Sequence, residues 1–457
     1  METHHHKRSA FSGKLGFVLS AAGASVGLGN IWRFPYLAAK YGGGIFLLIY
    51  IILAFTFGYT MIVAETALGR MTKKSPVGAF AAFGKGGGFA FGGWINAIIP
   101  ILIVPYYSVI GGWVIKYLVE YLRGGGSALA QDGYFSEFIS SGVSVELCFV
   151  VFTLFTLGII YAGVRNGVER VSKCMMPVLA VLSVIIAVYS VTRPGALAGV
   201  KYFLVPNLDN FSWMTVVSAM GQMFYSLSIA MGILITFGSY MKKDVSIEGS
   251  TTNVEIFDTA IAIMAGLMII PAVFAFSGGD PDTLQAGPAL MFITIPKVFD
   301  SMGMGTVVGV MFFLLVLFAA VTSSIALTES AVSTFEDELG WKRHKSTLLI
   351  GVIMLALGSL SALGYGPLAG VTVFGMQFLD LFDFLTNSVM MPIAAIATCL
   401  LVSRVVGVDK IEEEVTQNGG QFRRKAVFNF MIRYLCPLFA AIILVSSVAN
   451  AFGWIKM

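Results

Sequence analysis

Apolar residues recur in runs long enough to cross a lipid bilayer along nearly the whole chain of 457 residues. A run of about 18 or more predominantly apolar residues predicts a transmembrane helix, and the pattern predicts eleven of them. Their predicted bounds are 14–39, 44–70, 93–122, 145–163, 170–191, 213–240, 250–277, 306–336, 345–363, 371–402 and 425–452. The chain is therefore predicted to be an all-α polytopic membrane protein.

The first apolar run contains residues that weaken a helix near its centre. Residues 15–36 read LGFVLSAAGASVGLGNIWRFPY, with Gly23, Gly27 and Gly29 in the middle and Asn30 directly after them. Glycine inside a helix costs about 1 kcal/mol relative to alanine. Backbone groups freed by a break in hydrocarbon must be satisfied by protein or by a cavity, so a broken helix here predicts a transporter binding site. Close helix packing through the same glycines is the alternative.

A second run is interrupted in the same way. Residues 213–240 read WMTVVSAMGQMFYSLSIAMGILITFGSY, and Ser226, Ser228 and Gly232 interrupt the centre. The first and sixth runs each begin a set of five helices, and matched broken helices of this kind indicate an inverted-repeat transporter. The predicted units are a tail (1–13), a first five-helix repeat (14–192), a second five-helix repeat (213–402), and an eleventh helix with the C-terminus (425–457).

Composition and charge agree with this class and fix a predicted orientation. The chain is 57% hydrophobic and 12% charged. With the N-terminus in the cytoplasm, most of the 29 lysines and arginines fall in the tail and loops on that side, as the positive-inside rule requires. An odd number of spans then places the C-terminus outside the cell membrane.

Several other classes of protein receive no support from the sequence. Cys148, Cys174, Cys399 and Cys436 lie singly in separate apolar runs, so neither a disulfide framework nor a zinc motif is predicted. The net charge of +4 follows from topology and does not indicate nucleic-acid binding. No ATP motif or catalytic constellation is present, so an enzyme is not expected. Besides the bilayer, no obligate protein partner is evident.

Five motifs carry a resemblance to a known family. The strings GASVGLGNIWRFPY, YGGGIFLLIY, GQMFYSLSIAMG, GPALMFITIP and AAVTSSIAL resemble the neurotransmitter:sodium symporter family, in the same order along the chain. The resemblance implies a LeuT-type 5+5 inverted repeat with broken helices 1 and 6, followed by one extra helix. The short loop at 123–144, which lacks a cysteine pair, resembles bacterial sodium:amino-acid symporters.

The resemblance also implies where an amino-acid substrate binds. Backbone N–H groups at Leu28 and Gly29, with the Tyr107 hydroxyl, take the carboxylate, because a half-helix N-terminus favours anions. Carbonyls of Ser25, Tyr225 and Ser226 take the ammonium group. The implied side-chain pocket consists of Ala24, Ile103, Tyr225, Ser228, Met231, Ser323 and Leu327.

Two sodium ions are implied as coupled ions, held by oxygen ligands. The first site maps onto Ser25, Asn30, Ser226 and Asp258, together with the substrate carboxylate. The second site maps onto carbonyls and hydroxyls of Gly23, Val26, Ala319, Thr322 and Ser323.

No chloride ion is expected. Chloride-dependent relatives hold the anion at positions that here resemble Tyr50, Gln222 and Ser226, but the completing position is Ala262, whose methyl group can neither bind nor replace an anion. Asp258 stands where relatives place a neutral asparagine, so its carboxylate is predicted to supply the compensating charge. A helix N-terminal acid that satisfies the helix dipole is the alternative for this residue.

Further residues are assigned to gates and helix breaks by resemblance. Arg33 and Asp383 resemble an outer gate pair, bridged directly or through water, above the aromatic lid of Tyr225. Arg8 and Asp337 resemble an inner gate pair. Glu65 is predicted to cap backbone at the first helix's break. Gly167 and Pro177 resemble the family's helix-breaking pattern in the fifth run. A simple helix start followed by a proline kink is the alternative.

The sequence therefore predicts sodium-coupled import of neutral hydrophobic or aromatic L-amino acids by alternating access. A proton-coupled permease of the same fold is the nearest alternative, although Thr322 and Ser323 suit sodium. An ion channel is a more remote one, and saturable uptake with counterflow would exclude it.

Overall fold

A computed structural model describes residues 9–83, 87–279 and 287–455. Thirteen helices of this described part matter for the site. They are α1 Lys14–Ser25, α2 Gly29–Lys40, α3 Gly44–Thr72, α4 Ala90–Leu122, α5 Gly142–Tyr161, α6 Val164–Val191, α7 Trp213–Ser226, α8 Ile233–Tyr240, α9 Ile247–Ser277, α10 Gly305–Leu339, α11 Arg343–Leu363, α12 Phe378–Val406 and α13 Lys425–Ala451.

The predicted spans agree with these helices to within six residues at either end, apart from the sixth span and the start of the tenth. In the described part, nine helices are long and apolar enough to span a bilayer, and the pair α1 and α2 adds a tenth, bent by 55°. The sixth predicted span consists of two shorter helices, α7 with 14 residues and α8 with 8. The count of eleven is therefore not confirmed and stays a prediction.

The tenth predicted span begins later than the apolar run suggests. The run was predicted to start at residue 371, but α12 starts at Phe378. The residues before it form a tight reversal, in which Val373 and Met376 pair as an isolated antiparallel bridge. Phe374 and Gly375 have positive φ angles of 52° and 76°, a backbone conformation that cannot continue a right-handed helix.

Helices α4 and α10 pack against each other and form the interior with α1, whereas α5, α6 and α13 are largely exposed at the periphery. This distribution fits a helix bundle in lipid, because the outer helices need no polar face. Helices α1, α4, α7 and α10 surround the two breaks.

Glycines beside the break between α1 and α2 allow close packing. Val26, directly after α1, is extended with φ −72° and ψ 94°. A Cβ atom at Gly27 would lie 2.8 Å from Ser323 Oγ, and one at Gly29 would lie 2.5 Å from the Tyr225 ring. The predicted break is therefore present, and the glycines beside it also serve the close packing that was the alternative.

The break between α7 and α8 is supported by a buried carboxylate. Ser228 and Ala230 have positive φ angles of 52° and 59°, and Gly232 has 70°. The Ala230 N–H donates to Glu65 Oε1 at 2.7 Å, and Glu65 is completely buried. The prediction that Glu65 caps the first break was wrong, because its carboxylate binds backbone at the second.

Candidate functional site

A small cavity lies between the two breaks. Its walls come from α1, the 26–28 break, α2, α4, the α7–α8 region and α10. The lining residues are Ala24, Ser25, Gly27, Leu28, Gly29, Asn30, Ile103, Tyr107, Tyr225, Ser228, Met231, Ser323 and Leu327. The structure thus brings together every residue predicted to bind substrate except Ser226, whose side chain points to a neighbouring cluster. Their binding roles stay predictions.

The polar end of the cavity lies at the start of α2. The Leu28 N–H donates to the Tyr107 hydroxyl at 3.3 Å, and the Gly27 N–H donates to Asn30 Oδ1 at 3.3 Å. These backbone donors suit an anionic group, since the first N–H groups of a helix lack intrahelical partners. On the opposite side, the Ser228 hydroxyl donates to the Ala24 carbonyl at 3.0 Å.

The remainder of the cavity is apolar. Ile103, Met231 and Leu327 line it, each less than 9% exposed. None of its lining residues in the described part carries a charged side chain. A ligand with a charged side chain would therefore lose hydration without gaining a partner here.

Asp258 is completely buried beside this cavity and is held by neutral donors. The Asn30 amide donates to its Oδ1 at 2.8 Å, and the Ser226 hydroxyl donates to its Oδ2 at 2.9 Å. The Tyr50 hydroxyl lies 3.1 Å from Ser226 Oγ and 3.4 Å from Asp258 Oδ2. Asp258 forms no ion pair with any described residue. The structure thus groups Asn30, Ser226 and Asp258.

Ser25, the remaining residue assigned to the first sodium, uses its hydroxyl within its own helix. That hydroxyl donates to the Ala21 carbonyl at 3.1 Å, a common arrangement for serine in helices. The predicted ligand is the backbone carbonyl of Ser25, and Ser25 itself lines the cavity.

The residues of the predicted second sodium site also come together, between α1 and α10. The Ser323 hydroxyl lies 3.1 Å from the Gly23 carbonyl oxygen and 3.4 Å from that of Val26. The Thr322 hydroxyl lies 3.2 Å from the Ala319 carbonyl oxygen. All of these oxygens belong to hydroxyl or backbone carbonyl groups, so they are neutral.

The predicted outer gate pair is not in direct contact. The Arg33 guanidinium lies 5.2 Å from the centroid of the Tyr225 ring. Asp383 accepts hydrogen bonds from the Tyr106 hydroxyl at 3.2 Å and the Asn387 amide at 2.5 Å. Of the two arrangements predicted for Arg33 and Asp383, the direct one is absent from this structure, and the water-bridged one stays a prediction.

The predicted inner gate can be described only in part. Asp337 accepts a hydrogen bond from the Ser75 N–H at 2.6 Å. Arg8 lies outside the described residues.

The predicted helix break of the fifth run is absent in this structure. Helix α6 is continuous from Val164 to Val191, with a wide turn over Val164–Glu169. Gly167 has a packing reason to be glycine, because a Cβ atom there would overlap the Ile159 carbonyl oxygen. Pro177 lies inside the helix. Unwinding between these two residues stays a prediction.

Comparison with known proteins identifies the family. The family model described as the sodium:neurotransmitter symporter family matches residues 8–125 and 135–453. The uncharacterized sodium-dependent transporter YhdH of Bacillus subtilis is 34% identical over 95% of this chain and 96% of its own. The sodium- and chloride-dependent GABA transporter 2 of Macaca fascicularis is 27% identical over 94% of this chain and 77% of its own.

A solved structure extends the similarity to the fold. The crystal structure of MhsT in complex with L-phenylalanine is 34% identical to this chain, covers 96% of it and 100% of MhsT, and superposes with a TM-score of 0.86. This similarity confirms the LeuT-type fold, and the apolar helices agree with a multi-pass membrane protein. The chain therefore belongs to the sodium:neurotransmitter symporter family.

Proposed function

We propose that this transporter imports neutral hydrophobic L-amino acids, including aromatic ones, together with two sodium ions and without chloride. The observation that carries the proposal is the uncharged cavity between two helix breaks, bordered by the buried carboxylate of Asp258. Alternating access would expose this cavity first to the outside and then to the cytoplasm.

The cavity can recognise each part of an amino acid separately. Backbone donors near Leu28 and the Tyr107 hydroxyl suit the carboxylate, and the carbonyls of the second break suit the ammonium group. The apolar wall suits the side chain. Met231 favours aromatic side chains because its thioether is unbranched and makes favourable contacts with rings. The structural relative MhsT, crystallised with L-phenylalanine, supports this assignment.

The buried carboxylate supports sodium coupling. A charge taken out of water is costly unless it is paired, and Asp258 has only neutral donors. A sodium ion beside it would provide that pair, and the substrate carboxylate would approach the same ion from the cavity. Because such linkage is reciprocal, sodium should raise substrate affinity and substrate should raise sodium affinity.

Uptake of labelled amino acids by vesicles, with and without sodium, tests the proposal. We expect saturable uptake of phenylalanine, tyrosine, tryptophan and leucine in sodium only, with counterflow, and no competition by glutamate or lysine. Full uptake in potassium or choline buffer would refute sodium coupling. Uptake driven by a proton gradient alone would favour the proton-coupled permease, and glycine or glutamate outcompeting every aromatic amino acid would refute the substrate class.

A further inference from the structure

Three sulfur atoms from three helices meet in the interior of the protein. The Cys399 thiol of α12 donates to the Met61 thioether sulfur of α3 at 3.6 Å. The Cys436 thiol of α13 lies within hydrogen-bonding range of the Cys399 thiol. All three side chains are completely buried. We call Met61, Cys399 and Cys436 the sulfur cluster.

The fold creates this cluster from residues that are distant in the sequence. Met61 lies 338 residues before Cys399, and the packing of α12 against α13 brings the two cysteines together. The other two cysteines are different, because Cys148 is partly exposed on α5 and Cys174 is exposed on α6. The chain therefore contains one buried pair of thiols and one pair at its periphery.

The spacing of the sulfur atoms suits a single bound metal ion. Two sulfur ligands at about 2.3 Å from one ion, in trigonal or tetrahedral directions, lie about 3.8–4.0 Å apart. The 3.6 Å between the Cys399 and Met61 sulfur atoms is close to that separation. A methionine side chain is unbranched and adjusts easily, so a small movement of Met61 completes the geometry.

The donor atoms select the kind of metal ion. Thiolate and thioether sulfur favour soft ions such as copper(I), and silver(I) is a soft ion of the same charge. Zinc takes four ligands from cysteine, histidine and carboxylate side chains. No group of three or more such side chains in the described part of the chain could hold a metal ion, so the cluster does not suit zinc.

Burial determines the charge that the cluster can accept. Metal binding requires a deprotonated thiol: one S–H bond breaks, a sulfur–metal bond forms, and the proton leaves to water. A monovalent ion that replaces one proton leaves the cluster neutral. A divalent ion in the same place would leave a net positive charge among apolar helices, which is costly.

We infer that Met61, Cys399 and Cys436 form a binding site for one soft monovalent metal ion, copper(I) or silver(I). A bound ion links α3 to α12 and α13 through three sulfur atoms. The site is separate from both predicted sodium regions, and the inference does not depend on the proposed substrate or coupling ions.

Silver binding to the purified protein tests the inference. The variant Cys148→Ser/Cys174→Ser keeps the sulfur cluster as its only pair of thiols, and Cys399→Ala/Cys436→Ala keeps only the peripheral pair. Each is mixed with silver nitrate in chloride-free buffer and passed through a gel-filtration column containing free methionine, which removes weakly held silver. Elemental analysis should find one silver ion per molecule of the first variant and none on the second.

A third variant tests the thioether and does not depend on the alanine variant being stable. Met61→Leu conserves side-chain volume and keeps both buried thiols. It should raise the silver concentration for half-occupancy at least tenfold, since even the loss of an outer-shell partner weakens metal sites about 10–100-fold. X-ray absorption of the bound silver should show sulfur neighbours only.

Three results would overturn the inference. Equal silver retention by Cys399→Ala/Cys436→Ala would place the ion at the peripheral thiols. An unchanged affinity in Met61→Leu would exclude the three-sulfur site. No retained silver on Cys148→Ser/Cys174→Ser would leave the three sulfur atoms as packing groups, the ordinary role of buried cysteine and methionine.

Discussion

The predicted first sodium region is built around a carboxylate, whereas the second has only hydroxyl and carbonyl oxygens among its assigned residues. In the first, Asp258 of α9 receives bonds from Asn30 of α2 and Ser226 of α7. In the second, the Ser323 hydroxyl of α10 lies 3.1 Å from the Gly23 carbonyl oxygen of α1 and 3.4 Å from that of Val26, just beyond α1. Three helices thus meet at a fixed charge in one region, and α10 meets α1 through neutral groups in the other.

This difference suggests different tasks for two chemically identical ions. An ion beside Asp258 neutralises a charge that has no other counter-ion, so its loss leaves an unpaired buried carboxylate. An ion between α1 and α10 leaves only neutral oxygens behind when it departs. We therefore expect the first region to set charge balance and substrate affinity, and the second to control whether α1 stays attached to α10.

The largest effect should follow from removing the fixed charge. Asp258→Asn keeps the shape and leaves two sodium ions and a zwitterion with excess positive charge. We expect uptake to be lost in chloride-free medium, and either to stay lost or to return in part when chloride is added. Vesicle uptake in chloride and in gluconate measures both. Undiminished uptake in gluconate by this variant would show that the carboxylate is not the compensating charge.

The second-largest effect on uptake is expected from removing one hydroxyl in the second region. Thr322→Ala removes a predicted sodium ligand and should abolish accumulation while leaving expression unchanged. Thr328→Ala is a matched control on the same helix, because that buried hydroxyl donates to the Ser324 carbonyl at 2.7 Å and lies outside both regions. Equal accumulation by the two variants would refute the ligand assignment.

The sequence predicted the helices well because each apolar run is long and separated by polar loops. The errors in the predicted helix bounds came from local backbone conformation that hydropathy does not report. The reversal at 373–376 is as apolar as the helix that follows it, so hydropathy could not place the start of α12. The predicted count of eleven spans is not confirmed for a related reason. Hydropathy treats residues 213–240 as one span, but α7 and α8 are each too short to cross a bilayer alone.

Within the site, motif resemblance predicted most of the residues that line the cavity, but contacts between distant parts of the chain could not be derived from it. Glu65 could have served either break, and only the fold shows its bond to Ala230. Tyr106 and Tyr107 are adjacent, and the motif indicated a role for Tyr107 alone. The partner of Tyr106, Asp383, is 277 residues away, which no spacing rule connects.

A smaller effect is expected from crowding the second region without removing a ligand. A Cβ atom at Gly23 would lie 3.0 Å from Thr322 Cβ and 3.4 Å from Met176 Sδ. Gly23→Ala should therefore displace Thr322 slightly and raise the sodium concentration for half-maximal uptake about threefold, a mild overpacking cost. Gly221→Ala is the control, because the nearest atom outside its own helix would be Arg33 Nη2 at 4.0 Å. An unchanged sodium dependence for Gly23→Ala would place the ion elsewhere.

The smallest effect should be that of replacing chloride by gluconate around the wild-type protein, where we expect no change in uptake. Asp258 already provides a negative charge beside the first sodium region. Because each further buried charge is costly, the sodium charge should not need a chloride ion in addition to this carboxylate. The positions that resemble a chloride site are otherwise engaged: Tyr50 bonds with Ser226, and the Gln222 amide donates to the Gly29 carbonyl at 3.1 Å. Ala262, one turn beyond Asp258, offers only a buried methyl group. The relative from Macaca fascicularis, by contrast, is named as sodium- and chloride-dependent. A large loss of wild-type uptake in gluconate would refute charge substitution by Asp258, and would make the two sodium regions more alike than their side chains suggest.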